Sequence, residues 1–185
     1  VLWLRENPAK IAQSAESEAA LIRAVKDAAT RSHLPWQETN YLLLRRGPYV
    51  IAAGLDESGT QEPKTLTGRF VNLFDPDLRL SESVTLKPSS RLFLLDVDGS
   101  KGSGPCVLAS ACKSLPGKST DQEFGVVVEG VSGTSAIVLI RAAHAPKSVT
   151  LEGKPLLTFS HSDAEGLLRI RFTNESRPQA LSVLW

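Results

Sequence analysis

The segment NYLLLRRGPYVIAAGLDES, residues 40–58, decides the fold class. Two apolar runs rich in Leu, Val and Ile flank Gly47 and Pro48, an arrangement typical of a β-hairpin. The hydrophobic period is helical before this segment and strand-like after it. The sequence therefore predicts a helical lead-in or connector over residues 1–39 and a β-sandwich domain over residues 40–185.

The lead-in contains one clear helical pattern, over residues 17–31. Its apolar residues form one stripe at helical spacing: Leu21, Ile22, Val25, Ala28 and Ala29. Glu18 near the start and Arg31 at the end agree with the helix dipole. Residues 33–39 are predicted to form a linker to the β domain.

Short apolar runs alternate with turn residues from residue 40 onward. Twelve candidate strands follow, of which about ten are expected to persist: 41–45, 49–55, 69–74, 83–87, 91–97, 107–111, 125–131, 135–141, 148–151, 156–160, 167–173 and 180–184. Because no helical pattern separates them, the expected fold is mainly β, an antiparallel β-sandwich. One large sandwich and two small ones, divided near residues 99–105, both remain open.

Three features of these strands carry finer expectations. Residues 137–140 are apolar on both faces and are expected in a central strand. In 167–173, Arg169 and Arg171 alternate with apolar residues, which predicts one wet face. The segment EGKP at 152–155 predicts a hairpin turn with Gly153 at positive φ.

Charge and hydropathy narrow the function classes. The chain has 21 Lys and Arg against 20 Asp and Glu, a net charge of +1, and its basic residues are scattered. This pattern offers no footprint for nucleic acid or an anionic membrane. The longest apolar runs fall far short of the ~20 residues of a membrane helix. Neither a nucleic acid nor a membrane is therefore expected as a partner.

The terminus and the cysteines allow further expectations. A start at Val1, with no Met in the chain, favours a fragment of a longer protein, and VLWL at residues 1–4 should need apolar cover. Cys106 and Cys112 would be about 20 Å apart on a straight strand, too far for a disulfide. A turn near Ser110 would allow one; otherwise they are two half-buried thiols.

Three segments carry a family resemblance: LTGRFVNLFDPDLRL (66–80), VTLKPSSRLFLLD (84–96) and SVTLEGKPLLTFSHSDAEGLLRIRF (148–172). Their Gly-x-apolar-x-Asn-Leu, Leu-x-Pro-x-Ser and Val-x-Leu-x-Gly-Lys patterns resemble the non-catalytic β-sandwich that follows the barrel in many bacterial glycoside hydrolases. The resemblance implies an accessory domain of a secreted or periplasmic carbohydrate-active protein. Its partner would be a catalytic domain absent from this chain. Because that family's catalytic carboxylates lie in the barrel, no catalytic residue is carried over.

Candidate residues for carbohydrate binding are few. Such a site needs exposed aromatic faces beside polar groups. Trp36 is the best exposed candidate, and Tyr49 with Arg45 and Arg46 could form a polar rim at the hairpin tip. The competing interpretations are a Trp36 packed under the linker and a solvated hairpin tip.

Metal and catalytic candidates are weaker. Asp96 and Asp98 in DVDGS resemble the start of a calcium loop, but the glycine comes early and no Glu closes the loop. No metal ion or cofactor is expected.

A base-and-orienter pair of His161 and Asp163 competes with a solvated turn. The sequence gives no reason to choose Glu123 with Glu129, or Asp75 with Asp77, as a pair of catalytic acids for glycoside hydrolysis.

The chosen interpretation is a non-catalytic module that supports or docks on a catalytic domain. The alternatives are a stand-alone glycan-binding module, possible partners then including polysaccharide, and a hydrolase with an unlocated acid pair.

Overall fold

The structure is a computed structural model that describes residues 7–11, 13–55, 62–100, 102 and 104–185. The chain divides into two compact units, Val1–Thr39 and Asn40–Trp185. The apolar segment at residues 1–4 lies outside the described residues, so the expectation that it needs cover stays a prediction.

The first unit contains two helices, α1 (Pro8–Ile11) and α2 (Ala15–Arg31). Ser14 caps α2, because its hydroxyl accepts a hydrogen bond from the Ser17 N–H at 3.2 Å. The predicted helix is confirmed and begins two residues earlier than expected. Its apolar stripe contains no buried residue. No helix in the described part of the chain is long and apolar enough to span a membrane.

The described residues of the second unit form fourteen strands. They are β1 (Tyr41–Arg46), β2 (Tyr49–Gly54), β3 (Lys64–Asn72), β4 (Leu80–Leu86), β5 (Arg91–Asp96), β6 (Cys106–Ser110), β7 (Lys113–Pro116), β8 (Glu123–Glu129), β9 (Ser135–Arg141), β10 (Ser148–Leu151), β11 (Lys154–Pro155), β12 (Phe159–Ser162), β13 (Leu167–Thr173) and β14 (Gln179–Leu184). Each predicted strand overlaps one of these, so the expected loss of two is wrong. The short strands β7 and β11 were not predicted.

The strands form three antiparallel sheets. The first sheet has the order β1-β2-β5-β3-β4, the middle sheet β12-β13-β9-β6, and the outer sheet β11-β10-β14-β8-β7. The predicted mainly β, antiparallel sandwich is confirmed. The first sheet comes from residues 41–96 and the other two from residues 106–184.

In the middle sheet, the inner strand β9 is buried on both faces. On β9, Val138 and Ile140 pack in the core shared with the outer sheet. Ile137 and Leu139 point to the other face and pack with residues of the first sheet such as Leu95. The prediction of a central strand is confirmed, because a strand is apolar on both faces when both are covered. The middle sheet thus belongs to two sandwiches at once.

The predicted wet face of β13 holds for Arg171, whose side chain is 47% exposed, and fails for Arg169. The Arg169 side chain is only 13% exposed, and its Nε and Nη2 each donate to the Leu78 carbonyl at 3.1 Å. Arg171 Nη2 donates to the Asp77 carboxylate at 2.6 Å. The two arginines therefore hold the loop between β3 and β4 against the middle sheet.

The first sheet curls and encloses a small core of its own, separate from the core that it shares with the middle sheet. A β-bulge interrupts the pairing of β3 with β4 between Thr67 and Phe70, and Gly68 there has φ +145°. The curl brings β4 into contact with β2, although two strands separate them in the sheet. Val50, Phe70 and Leu94 fill the enclosed core. A bulge increases bending and twist, which accounts for the curl.

Tight turns close two hairpins. Gly47 has φ +55°, and Arg46 lies opposite Tyr49 across the first turn. Glu152 and Gly153 have φ +53° and +72° between β10 and β11. Two positive φ values in a two-residue turn match the twist of a hairpin. Gly153 therefore adopts the predicted positive φ.

Both cysteines are free and partly buried. Cys106 packs against the core between the first and middle sheets. Cys112 packs against the core between the middle and outer sheets. Because they lie on opposite faces of the middle sheet, the thiol interpretation holds.

Candidate functional site

The structure assembles only part of the predicted rim at the hairpin tip. Tyr49 lies opposite Arg46, so these two side chains share a face of the first sheet. Arg45 lies opposite Val50 and points to the other face. Its Nη1 donates to Asp96 Oδ2 at 2.6 Å. The hairpin therefore places Arg46 and Tyr49 side by side, whereas Arg45 forms an ion pair with Asp96 on the other face.

Trp36 belongs to the first unit and is 43% exposed. Its Nε1 donates to Glu38 Oε1 at 2.8 Å, and Lys26 Nζ lies 5.7 Å from the ring centroid. Hydrogen bonds from Lys26 and from Trp36 lower the pKa of Glu38. Lys26 and Glu38 thus fix the ring at the surface of its own unit, and the alternative of a Trp36 buried under the linker does not hold.

The calcium candidates are held by arginines. Asp96 accepts from Arg45 and from the Gly99 N–H at 3.0 Å. Burial raises the pKa of Asp96, but these hydrogen bonds bring it below its ordinary value. Asp98 accepts from Arg69 Nη1 at 3.1 Å. Within the described residues, no group of three His, Cys, Asp or Glu side chains is placed to hold a metal ion.

His161 is buried, and the predicted solvated turn is wrong. Its side chain is 5% exposed, with Nδ1 3.5 Å from Asp163 Oδ1. Its Nε2 lies 2.9 Å from the Ala142 carbonyl oxygen. Both ring nitrogens are therefore engaged by the protein. A general base needs a nitrogen within reach of the substrate proton, so this pair suits structure better than catalysis.

The acid pairs are unsuited to glycoside hydrolysis. Glu123 and Glu129 are the two ends of β8. At roughly 3.3 Å per residue they are about 20 Å apart, beyond the ~5 to ~9.5 Å of catalytic carboxylates. Asp77 is paired with Arg171. The Arg79 hydrogen bond lowers the pKa of Asp75 to about 2, whereas a general acid needs a raised pKa.

Two aromatic residues that the sequence did not single out lie beside Tyr49. The ring centroids of Tyr49 and Phe93 are 5.6 Å apart, at an interplanar angle of 34°. Those of Phe74 and Phe93 are 6.3 Å apart, at 55°. Phe74 is 66% exposed. Tilted rings make a curved wall rather than a flat platform for a pyranose ring, and the cluster is visible only in the folded chain.

The same face of the first sheet carries an exposed aliphatic row. Leu42, Leu44 and Ile51 are 62%, 52% and 52% exposed. Leu44 lies opposite Ile51, and Ile51 lies opposite Phe93 on the next strand. We call Leu42, Leu44 and Ile51 the docking face. Contiguous exposed apolar surface of this kind marks interaction sites.

Comparison with known proteins gives little. No protein-family model matches the chain, and no curated protein matches it. Among solved structures, the chain is similar to a mutant GH31 dextranase from Flavobacterium johnsoniae in complex with isomaltotriose, with a TM-score of 0.39 and 12% identity. The similarity covers 75% of this chain and 26% of the dextranase chain, so this chain spans about a quarter of that structure's length.

Proposed function

We propose that this chain is a non-catalytic β-sandwich module of a glycoside-hydrolase-like protein, and that it docks on a catalytic domain of the same protein. The observation that supports docking is the docking face, Leu42, Leu44 and Ile51. The sequence resemblance over residues 66–96 and 148–172 supports the connection with carbohydrate-active proteins.

The chemistry of the docking face favours a protein partner over a sugar. Burial of apolar area stabilises by about 25 cal/mol per Å², and branched aliphatic side chains interdigitate well with those of another domain. A sugar ring instead stacks on a flat aromatic surface with hydrogen-bonding groups around it. The tilted rings of Tyr49, Phe93 and Phe74 give the glycan-binding alternative less support.

The test is co-expression of this chain with the catalytic domain encoded in the same gene. The double variant Leu44→Asp/Ile51→Asp should abolish co-purification, because it places two carboxylates in an apolar contact. Its thermal melt should match that of the parent chain, since both side chains are exposed. Leu157→Asp is the matched control, at a residue that is 87% exposed elsewhere on the unit.

The control variant should co-purify as the parent chain does. The proposal fails if the gene encodes no catalytic domain. It also fails if the double variant binds that domain as tightly as the parent chain.

A further inference from the structure

The strand β6 ends the middle sheet. β9 pairs with one of its edges, and no described strand pairs with the other. An open edge presents backbone N–H and C=O groups that can pair with another strand. None of the five residues of β6 is fully exposed, and Leu108 is 8% exposed. The open edge is therefore recessed between the three sheets.

A cleft lies on each side of this recessed edge. One, of about 450 Å³, lies toward the first sheet and is walled by Phe74 and Phe93. The other, of about 520 Å³, lies toward the outer sheet and is walled by Ser114 and Phe124. Tyr49 borders both clefts. β6 is thus the partition between two cavities on opposite faces of one sheet.

We propose that β6 accepts an extended segment of a partner polypeptide, which adds a strand to the middle sheet. Successive side chains of a strand point to opposite faces, so alternate residues of the added segment enter the two clefts. Main-chain hydrogen bonds to β6 supply affinity, and the clefts supply specificity.

The cleft linings define the chemistry of the segment. Among the described residues that line them, Asp75 is the one charged side chain. Its carboxylate is bound by Arg79. The remaining lining is apolar or carries hydroxyl and thiol groups. A neutral segment with apolar side chains at alternate positions complements it, because a charged side chain would be desolvated there without a partner.

The recess also favours a single extended segment over other occupants. The hydroxyl groups of an oligosaccharide can bond single backbone groups of β6, but they do not repeat at the spacing of a strand edge as the N–H and C=O groups of an extended peptide do. A second copy of this chain carries its own β6 between its own first and outer sheets, so two recessed edges cannot approach within pairing distance. The spacing between paired strands is about 4.8 Å.

The test starts with phage-displayed random nonapeptides selected on the full chain. Enriched sequences should carry apolar residues at alternate positions. A fluorescein-labelled synthetic version of one of them then serves as the probe in fluorescence anisotropy. N-methylation of its backbone, one residue at a time, should weaken binding at least tenfold at every second residue and less than twofold between them, because only alternate N–H groups face β6.

Variants of the protein test the two clefts separately. Ala111→Phe should fill the cleft toward the first sheet, and Ser114→Phe the cleft toward the outer sheet. Each should weaken the probe at least tenfold. Ser160→Phe is the control, because Ser160 is an exposed residue on β12, the opposite edge of the same sheet. It should change binding less than twofold, and thermal melts of all variants confirm folding.

Several results would overturn the proposal. One is a selection without enriched peptides, and another is an N-methylation profile without a period of two. A third is binding of a neutral polysaccharide such as dextran to the parent chain but not to the Ser114→Phe variant. That result would identify the clefts as a glycan-binding site. A dimer that the same variant dissociates in sedimentation would assign the edge to a second copy. Leu44→Asp/Ile51→Asp should bind the probe normally, which separates this test from that of the docking face.

Discussion

At Gly153, backbone conformation alone limits which residue the chain can carry. Its φ is +72° and a Cβ there would meet no atom within 4 Å, so a larger residue is strained but not crowded. Gly153→Val should lower the free energy of unfolding by about 1 kcal/mol or more. Urea denaturation measures this.

Two variants control for the added side chain. Gly153→Asn should retain most of the stability, because Asn tolerates the left-handed region. Gly104→Val should be neutral, since Gly104 is also in open space and has no positive φ. An unchanged urea midpoint for Gly153→Val would contradict the turn geometry.

Asp75 carries a pH-dependent part of the stability. The Arg79 hydrogen bond holds its pKa at about 2, against the opposing effect of burial. In the unfolded chain the pKa of an Asp side chain is about 3.9, so folding lowers the pKa of Asp75. Its stabilisation is therefore complete above that unfolded value and is lost as the pH falls toward 2.

The corresponding variant is Asp75→Asn. It should be less stable than the parent chain at pH 7, and the difference should shrink as the pH falls from about 5 to about 2. Chemical denaturation across this range measures the difference. Asp121→Asn, at an exposed residue, is the control and should follow the parent chain throughout. A difference for Asp75→Asn that is constant with pH would show that the ion pair is not the cause.

Single residues also show what a sequence reveals about a site. Gly153 could be placed because turn chemistry is local. Phe93 could not be grouped with Tyr49, because their proximity depends on the register of β2 against β5. Phe74 reaches Phe93 from the loop between β3 and β4. Register is set by pairing between distant segments, which a single sequence does not contain.

Among the elements, β3 depends most on one residue. Gly68 lies in its bulge with φ +145°, and a Cβ there would lie 3.1 Å from two atoms of the Phe70 ring. Phe70 is 2% exposed and cannot easily give way. Gly68→Ala should therefore destabilise by roughly 1–3 kcal/mol through backbone strain and crowding.

A thermal melt measures this loss. Gly133→Ala separates the two causes, because Gly133 has φ +78° but no atom within 4 Å. It should cost less than Gly68→Ala. Equal losses for the two variants would mean that the Phe70 ring moves aside freely.

The residue patterns of β9 and β13 predicted the burial of their faces with unequal success. The apolar run of β9 identified a central strand, because burial on both faces leaves a pattern in one segment. The alternating arginines of β13 indicated a solvated face, which describes Arg171 but not Arg169, whose largely covered guanidinium binds the Leu78 carbonyl. An alternating pattern shows which residues are polar, not which are solvated, so a covered arginine such as Arg169 gives the same pattern as an exposed one.

The molecule as a whole is expected to hydrolyse no glycoside. In the described residues the acid pairs are too far apart or bound by arginines, and His161 has both nitrogens engaged. Incubation of the purified chain with a panel of aryl glycosides should release no more phenol than buffer does. A known glycosidase on the same panel is the positive control. Turnover that disappears on Glu129→Gln would promote the hydrolase alternative.

The layering of the sheets was the part of the fold that sequence left open. Residues 99–105, where the alternative of two sandwiches would divide the chain, fall between the first sheet and β6 in the sequence. No local pattern could show that one sheet serves both sandwiches. That arrangement follows from which faces meet, and faces meet only through packing over long sequence separations.

The middle sheet also has a consequence for synthesis on the ribosome. The first sheet is complete at Asp96, but its covering layer is not complete until β13 ends at Thr173. At about 5–20 residues per second, these roughly 80 residues take on the order of 4–16 s. Throughout that time Val71 and Leu95, buried in the finished protein, lack at least part of the layer that covers them. Synonymous codons that slow translation between residues 97 and 173 should therefore lower the soluble yield without altering the final fold.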